Sequence, residues 1–529
     1  MLSKLAIVSS VFALALPLQA VVAAETTTIT IDAAKTGAKI DRNLFGQFAE
    51  HLGHGIYDGI WVGPDSPIPN TRGIRKDVVA ALKALKVPNV RWPGGCFADY
   101  YHWRKGIGKQ RQVTVNTDWG GVTEPNTFGT HEFMDFAGQI GAAAYLSVNI
   151  GSGTPQEAAE WLEYLTTAQQ TTLAKERAAN GHPAPYSVPY LGLGNESWDC
   201  GGNMTAANYV QQMKTYSRFV QNYNPQQQDG NKMLKIAVGP GGDGKRWTDW
   251  TETVMKAYKE ELTWSWELQG LSLHNYTVID WKAKHASVGF GEKEYAEILN
   301  ETLKMEGLIT THSAIMDKYD PDRKIALAVD EWGGWYSPYP KDSNPGFLMQ
   351  QNSLRDAILA ALNINIFVRH ADRVRMANIA QMINVLQAMI LTDKEKMVLT
   401  PTYYLFKLYL PFQDAVSVPV SLAAGYYTMD SQKFKLPRLD AIAARGADGK
   451  LWIAVTNVDP NRSAEVELAV SGLNARTVSG ETMTAAKVDS INTFESPNTV
   501  APKKITGSVS NGKVLLTLEP KSVTVVSVE

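Results

Sequence analysis

Apolar and polar positions along the chain follow two grammars, and the change between them falls near residue 400. From about Phe45 to Asn384, short apolar runs of β-compatible residues are separated by stretches of helix length, the pattern of parallel strands joined by helical crossovers. Eight runs stand in order, at residues 44–50, 89–92, 143–150, 190–196, 234–238, 268–274, 324–331 and 373–380. Eight such units predict an α/β fold, a closed (β/α)8 TIM barrel over residues 43–400, because nearly every strand end carries polar or aromatic residues able to converge. The stretches between them are amphipathic. Residues 73–85 place Ile74, Val78, Ala81, Leu82 and Leu85 at three- and four-residue spacing, and Thr154-Pro155-Gln156-Glu157 supplies a cap, a first-turn proline and an early acid.

After about Pro401 the runs shorten and alternate, as in Leu451-Trp452-Ile453-Ala454-Val455-Thr456 and Lys513-Val514-Leu515-Leu516-Thr517-Leu518, with Gly, Asn and Pro turns between them. This predicts a C-terminal antiparallel β-sandwich over residues 401–529. The early run Thr27-Thr28-Ile29-Thr30-Ile31 precedes the barrel, so residues 25–42 are expected to cross over and join that sheet. No internal repeat, low-complexity tract or flexible linker interrupts the chain.

Composition narrows the picture. With 529 residues and 44% hydrophobic content, the chain can fill one large core and a second, smaller one. The formal net charge of -2 argues against a nucleic-acid partner. Residues 1–24 combine Lys4, an apolar stretch from Leu5 to Leu18 and small residues before Glu25, which reads as a secretory signal peptide. That reading predicts a secreted or periplasmic protein. The apolar stretch is short for a membrane span and no later segment is apolar enough for one, so no stable membrane insertion is expected after the signal is removed. Cys96 and Cys200 are the only cysteines, too few for a disulfide scaffold or a structural zinc site. Both could rim one cleft, as a disulfide or as two free thiols.

The chemistry concentrates at two strand ends. Glu196, in Leu193-Gly194-Asn195-Glu196-Ser197-Trp198, and Glu331, in Ala328-Val329-Asp330-Glu331-Trp332-Gly333, each follow an apolar run and precede a loop. Barrel enzymes place catalytic groups at such positions. Two carboxylates facing one cleft suit glycosidic bond hydrolysis, in which one must be protonated and the other ionised. A solvated loop glutamate would require neither the apolar approach nor the flanking aromatics. Asp330 competes for the nucleophile's role, but adjacent strand side chains point opposite ways, so only one of Asp330 and Glu331 can serve. Trp198, Trp332, Trp335 and Trp119 are candidate walls for sugar rings, Trp332 and Trp198 foremost because they adjoin the carboxylates. Two decoys are set aside. Residues 239–246 approximate a P-loop, but Arg246 replaces the magnesium-binding hydroxyl and Pro240 removes a backbone donor. His51 and His54 have no further ligand cluster nearby to complete a metal site.

Gly194-Asn195-Glu196, Asp330-Glu331-Trp332-Gly333, Arg91-Trp92-Pro93-Gly94-Gly95-Cys96-Phe97 and His274-Asn275-Tyr276 together resemble glycoside hydrolase family 51, the retaining α-L-arabinofuranosidases. The likeness runs from about Gly46 to the C-terminus and includes Ser496-Pro497-Asn498. It implies an acid/base after the fourth strand and a nucleophile ending the seventh, and the strand count above puts Glu196 and Glu331 there. By the same resemblance Asn195 bonds the hydroxyl beside the anomeric centre, Glu50 grips furanose hydroxyls, Tyr276 orients the nucleophile and Gln381 meets the sugar. Cys96 stands where some members carry asparagine, which puts a direct sugar hydrogen bond from its side chain in question. The implied partners are arabinose-containing glycans and further copies of the chain in a homo-oligomer, with no cofactor and no catalytic metal. Two rivals stand beside this reading: an endo-acting β-glycanase of the same fold and a non-catalytic carbohydrate-binding protein.

Overall fold

The computed structural model describes residues 26–529, except 229–230, 262–263, 430–432 and 506. Residues 1–24, which the sequence reads as a signal peptide, lie outside them. Among the described residues no helix is long and apolar enough to cross a membrane.

Eight parallel strands close into a barrel: Gly46–Phe48, Asn89–Trp92, Ala143–Val148, Tyr190–Leu193, Leu234–Ala237, Gly270–Thr277, Ala326–Gly334 and Val374–Ile379. They are barrel strands one to eight below. Asn378 and Ile379 pair with Gly46 and Gln47, which closes the ring. The strands are apolar on both faces because helices cover them outside and side chains fill the barrel within. The outer layer between strands and helices is the main core and includes Val90, Leu146, Leu193, Leu271, Leu327 and Ile379, all 1% exposed or less.

The helix expected over 73–85 begins later, at Lys76–Ala84, because Ile74–Arg75 pair with Asn70–Thr71 in a small hairpin. The helix Pro155–Thr166 opens as its sequence dictates: Thr154 Oγ1 accepts from the Glu157 amide at 3.1 Å with Pro155 in the first turn. Strand seven is irregular. Its register against strand eight shifts between Val329 and Trp332, and strand six shifts against it between Ser272 and His274. This breaks the simple in-out alternation at Asp330 and Glu331.

The second layer system is a sandwich. Its five-stranded sheet runs Val420–Leu422, Thr27–Asp32, Ala464–Ser471, Lys513–Leu518, Ser508–Ser510. The six-stranded sheet runs Val416–Val418, Leu439–Arg445, Leu451–Asn457, Ser522–Val528, Val478–Met483, Lys503–Ile505. Thr27–Asp32 is an inner strand, antiparallel to Val420–Leu422 and parallel to Ala464–Ser471. The start of β structure at 401 is corrected. Residues Pro401–Leu408 form a helix, capped by Thr400 Oγ1 with Pro401 in its first turn, and the first sandwich strand of this half begins at Val416.

Candidate active site

The C-terminal ends of the barrel strands converge on a cavity of about 470 Å³. Glu50, Cys96, Trp119, Asn195, Glu196, Trp198, His274, Tyr276, Glu331, Trp335 and Gln381 line it. One carboxylate oxygen of Glu196 and one of Glu331 lie within 4.8 Å of each other, with His274 in the same triangle.

Glu331 is held by two donors, Arg91 Nη1 at 2.7 Å and the Tyr276 hydroxyl at 2.8 Å. Arg91 reaches across the barrel with its other nitrogen to Asn195 Oδ1 at 2.6 Å, so one guanidinium fixes both the nucleophile candidate and the residue before the acid candidate. Glu196 contacts His274 Nδ1 at 2.8 Å, and its side chain is 18% exposed, open to the cavity. Burial and the nearby charge of Glu331 raise the Glu196 carboxyl above its ordinary range, against the lowering contact from His274.

Glu50 is more deeply enclosed. Its Oε1 accepts from the amides of Gly95 and Phe97 and from Trp119 Nε1, and its Oε2 accepts from Gln381 Nε2 at 2.8 Å. Burial, with Glu331 adding its charge, still pushes Glu50 up to about 7 against these donors. The two glycines after cis-Pro93 permit this crowding. A methyl group on Gly94 would stand 2.6 Å from Glu50 Cγ, and one on Gly95 would stand 2.8 Å from Glu331 Oε1. Gln381 Oε1 is buried and has no hydrogen-bond partner among the described residues.

Cys96 and Cys200 form a disulfide with Cα atoms 5.5 Å apart, so the free-thiol alternative does not apply and Cys96 meets the cavity as half of a bridge. The bridge ties the loop after strand two to the loop carrying Glu196. With both sulfurs bonded, the cluster of Cys96, Glu196 and Cys200 offers no thiolate to a metal. The triangle of Glu196, His274 and Glu331 has metal-like spacing as well. Burial would lower the His274 imidazole, but Glu331, Asp330 and Glu196 overcome it and push the ring up to about 10, which makes it a cation set among three carboxylates.

Two readings of the sequence are corrected. Trp332 is no sugar wall: it is fully buried away from the cavity, edge-on to Phe367 and stacked over Phe406. The register shift in strand seven sends it outward. The same shift corrects the argument that Asp330 and Glu331 must face opposite ways. Asp330 also sits among barrel-interior groups, accepting from the Tyr145 hydroxyl at 2.6 Å and lying 3.6 Å from Arg91 Nε. Trp198 does line the cavity, although it is 8% exposed and donates its indole N–H to the Gly239 carbonyl. Residues 239–246 form the loop and first helical turn after strand five, with Arg246 donating to the Trp198 carbonyl. His51 contacts Glu124 and His54 contacts Asp58.

Sequence reasoning missed three contributors. Asp99 accepts from the amides of Ile150, Gly151 and Asn195, joining the loops after strands two, three and four. Arg91 stood in a quoted motif without a role. Trp281, 56% exposed at the cavity and edge-on to Trp335, lay in a loop without periodic signal.

Family profiles match two parts of the chain: the α-L-arabinofuranosidase 1 domain over residues 81–239 and the α-L-arabinofuranosidase C-terminal domain over residues 330–522. A protein of Bacteroides ovatus named intracellular exo-α-L-arabinofuranosidase is 42% identical over 95% of this chain and 95% of its own. The chain belongs to glycoside hydrolase family 51. A crystal structure of the family 51 arabinofuranosidase from Xanthomonas axonopodis pv. citri is 49% identical, with a TM-score of 0.90 over 95% of this chain and 100% of that one. The Thermotoga maritima α-L-arabinofuranosidase arabinose complex is 32% identical, with a TM-score of 0.82 over 95% and 100% of the two chains. These comparisons overturn one expectation. The secreted or periplasmic location read from residues 1–24 is corrected, because the Bacteroides ovatus relative is named intracellular.

Proposed function

We propose that this family 51 enzyme is a retaining, exo-acting α-L-arabinofuranosidase that releases terminal arabinofuranose from arabinose-containing glycans. The observation that carries the reading is the approach of Glu196 and Glu331, with carboxylate oxygens within 4.8 Å in one cavity. Retaining glycosidases hold their carboxyl groups roughly 5 to 5.5 Å apart, whereas inverting enzymes leave room for a water.

Glu331 attacks the anomeric carbon as Glu196 gives its proton to the leaving oxygen, forming an arabinosyl ester on Glu331. Glu196 then takes a proton from water as the water oxygen attacks the same carbon and Glu331 departs as a carboxylate. Tyr276 and Arg91 orient Glu331 through their hydrogen bonds. Glu50, Asn195 and Gln381 bind furanose hydroxyls, with Trp198 and the Cys96 bridge as walls. The Bacteroides ovatus relative is named an exo-α-L-arabinofuranosidase, which supports the exo mode over an endo-glycanase.

Proton NMR of the first product formed from an aryl α-L-arabinofuranoside tests the mechanism. We expect α-arabinofuranose to appear before mutarotation; initial β product would overturn double displacement. The family resemblance also implies a homo-oligomer, which light scattering on the eluted protein would detect.

A further inference from the structure

Asp330 takes no part in the reaction as written, yet it is 1% exposed directly before the nucleophile. An ionised carboxyl so buried is costly unless compensated. Its compensation comes from Tyr145, from Arg91 and from His274 Nε2, which lies 3.2 Å from Asp330 Oδ1. This is a close ion-pair contact, and neither that nitrogen nor that oxygen has a hydrogen-bond partner among the described residues, so each has the other as its nearest opposite charge. The opposite edge of the same ring faces the reacting acids, with Nδ1 2.8 Å from Glu196 Oε1 and 3.6 Å from Glu331 Oε1.

We propose that Asp330 is a positioning residue that acts through His274, holding the imidazolium as one counter-charge shared in turn by Glu331 and Glu196. The inference rests on the double-displacement reading above. In the resting enzyme the negative charge is on Glu331 and the proton on Glu196. In the arabinosyl-enzyme Glu331 is a neutral ester and the charge has moved to Glu196. Arg91 contacts only the first of these carboxylates, whereas His274 lies within reach of both. A cation there stabilises whichever acid is ionised at each stage.

The surrounding groups agree. Besides Glu196, Glu331 and Asp330, Arg91, Tyr145 and Tyr276 act on the ring through the carboxylates they touch, while the charge of Asp199 bears on Glu196 and Glu50 faces Glu331. Burial opposes ionisation of Asp330, but Arg91, His274 and Tyr145 hold it below the usual carboxylate range. Without that charge, the buried pair of His274 and Glu196 prefers to be neutral, with the proton on Glu196. Glu196 is then a poorer base in the second step.

Asp330→Asn keeps the shape and removes the charge. The substrate for the test is an aryl arabinofuranoside with a good leaving group, so that breakdown of the arabinosyl-enzyme limits kcat. We expect kcat to fall about tenfold or more, its acid limb to move to higher pH, and kcat/KM to change much less. Azide, a nucleophile that needs no base, should restore kcat. Equal losses in kcat and kcat/KM with an unmoved pH profile and no azide rescue would overturn the proposal. If thermal unfolding shows Asp330→Asn to be unfolded, Tyr145→Phe weakens the same carboxylate, and the acid limb should move the same way by less; an unmoved limb would equally overturn it. Inverted product from the parent enzyme would sink double displacement itself, whereas retention with a flat Asp330→Asn response sinks this inference alone.

Discussion

The side chains around the barrel's catalytic cavity and those in the core of the sandwich are similarly buried and chemically opposite. The sandwich core is aliphatic, built from residues such as Ile29, Ile31, Ile453, Val466, Leu468 and Leu516, each 2% exposed or less. The barrel end encloses Glu50, Arg91, Asp99, His274, Asp330 and Glu331, none more than 5% exposed. Apolar burial needs no partner and tolerates small shifts, whereas each buried charge is tolerable only while its partner stays in place. The sandwich core thus contributes cohesion, and the barrel end spends some of it on holding acids at chosen protonation states.

The sharpest way to break this contrast is at Glu331, the proposed nucleophile. Glu331→Ala should cost on the order of 10⁴-fold or more in kcat with the fold intact, since the other members cannot replace the attacking group. Circular dichroism alongside aryl arabinofuranoside hydrolysis checks it, and substantial residual turnover would remove Glu331 from its role. Glu196→Ala should lose about 10² to 10⁴-fold on unactivated glycosides while sparing the first step on activated ones. Similar losses in kcat/KM on both substrate types would refute the acid role.

Stability then separates the regions. Arg91→Met strands buried carboxylates and should destabilise by about 3 to 5 kcal/mol, together with loss of activity. Ile453→Ala, in the sandwich, should cost about 2 to 5 kcal/mol yet leave kcat per folded molecule unchanged. Urea unfolding with activity assays distinguishes them.

The smallest effect is with pH. Glu50 is pushed up from 4.5 to about 7 in the folded protein, so between those values the unfolded chain has lost a proton that the folded chain keeps. Stability conferred by this group therefore falls as pH rises through that window, by roughly 3 kcal/mol at most. Asp99, pushed up to about 6 by burial, acts in the same direction. Melting temperatures from pH 5 to 8 should decline less in Glu50→Gln than in the parent.

The eight-strand rhythm was legible because each barrel strand is a compact apolar run, and Glu196 and Glu331 stood out where such runs stop. What escaped were features made by contacts distant in sequence. Asp99 acts through amides supplied by two other loops, 51 or more residues away, which no local pattern announces. Trp332 was misread because adjacency to Glu331 suggested a shared face, and the register shift in strand seven removed that symmetry. The same shift hid Asp330, which strict alternation would have turned away from the barrel interior.

The inner sandwich strand Thr27–Asp32 has a temporal consequence. Its neighbour Ala464–Ser471 is made late: Ser471 contacts Ile31 across 440 positions of sequence. At about 5 to 20 residues per second, the early strand waits roughly 20 to 80 s on the ribosome before its first partner, Val420–Leu422, is made, and longer for Ala464–Ser471. During synthesis the nascent chain therefore carries an unpaired strand ahead of the barrel, all eight strands of which are made before the strands that cover it.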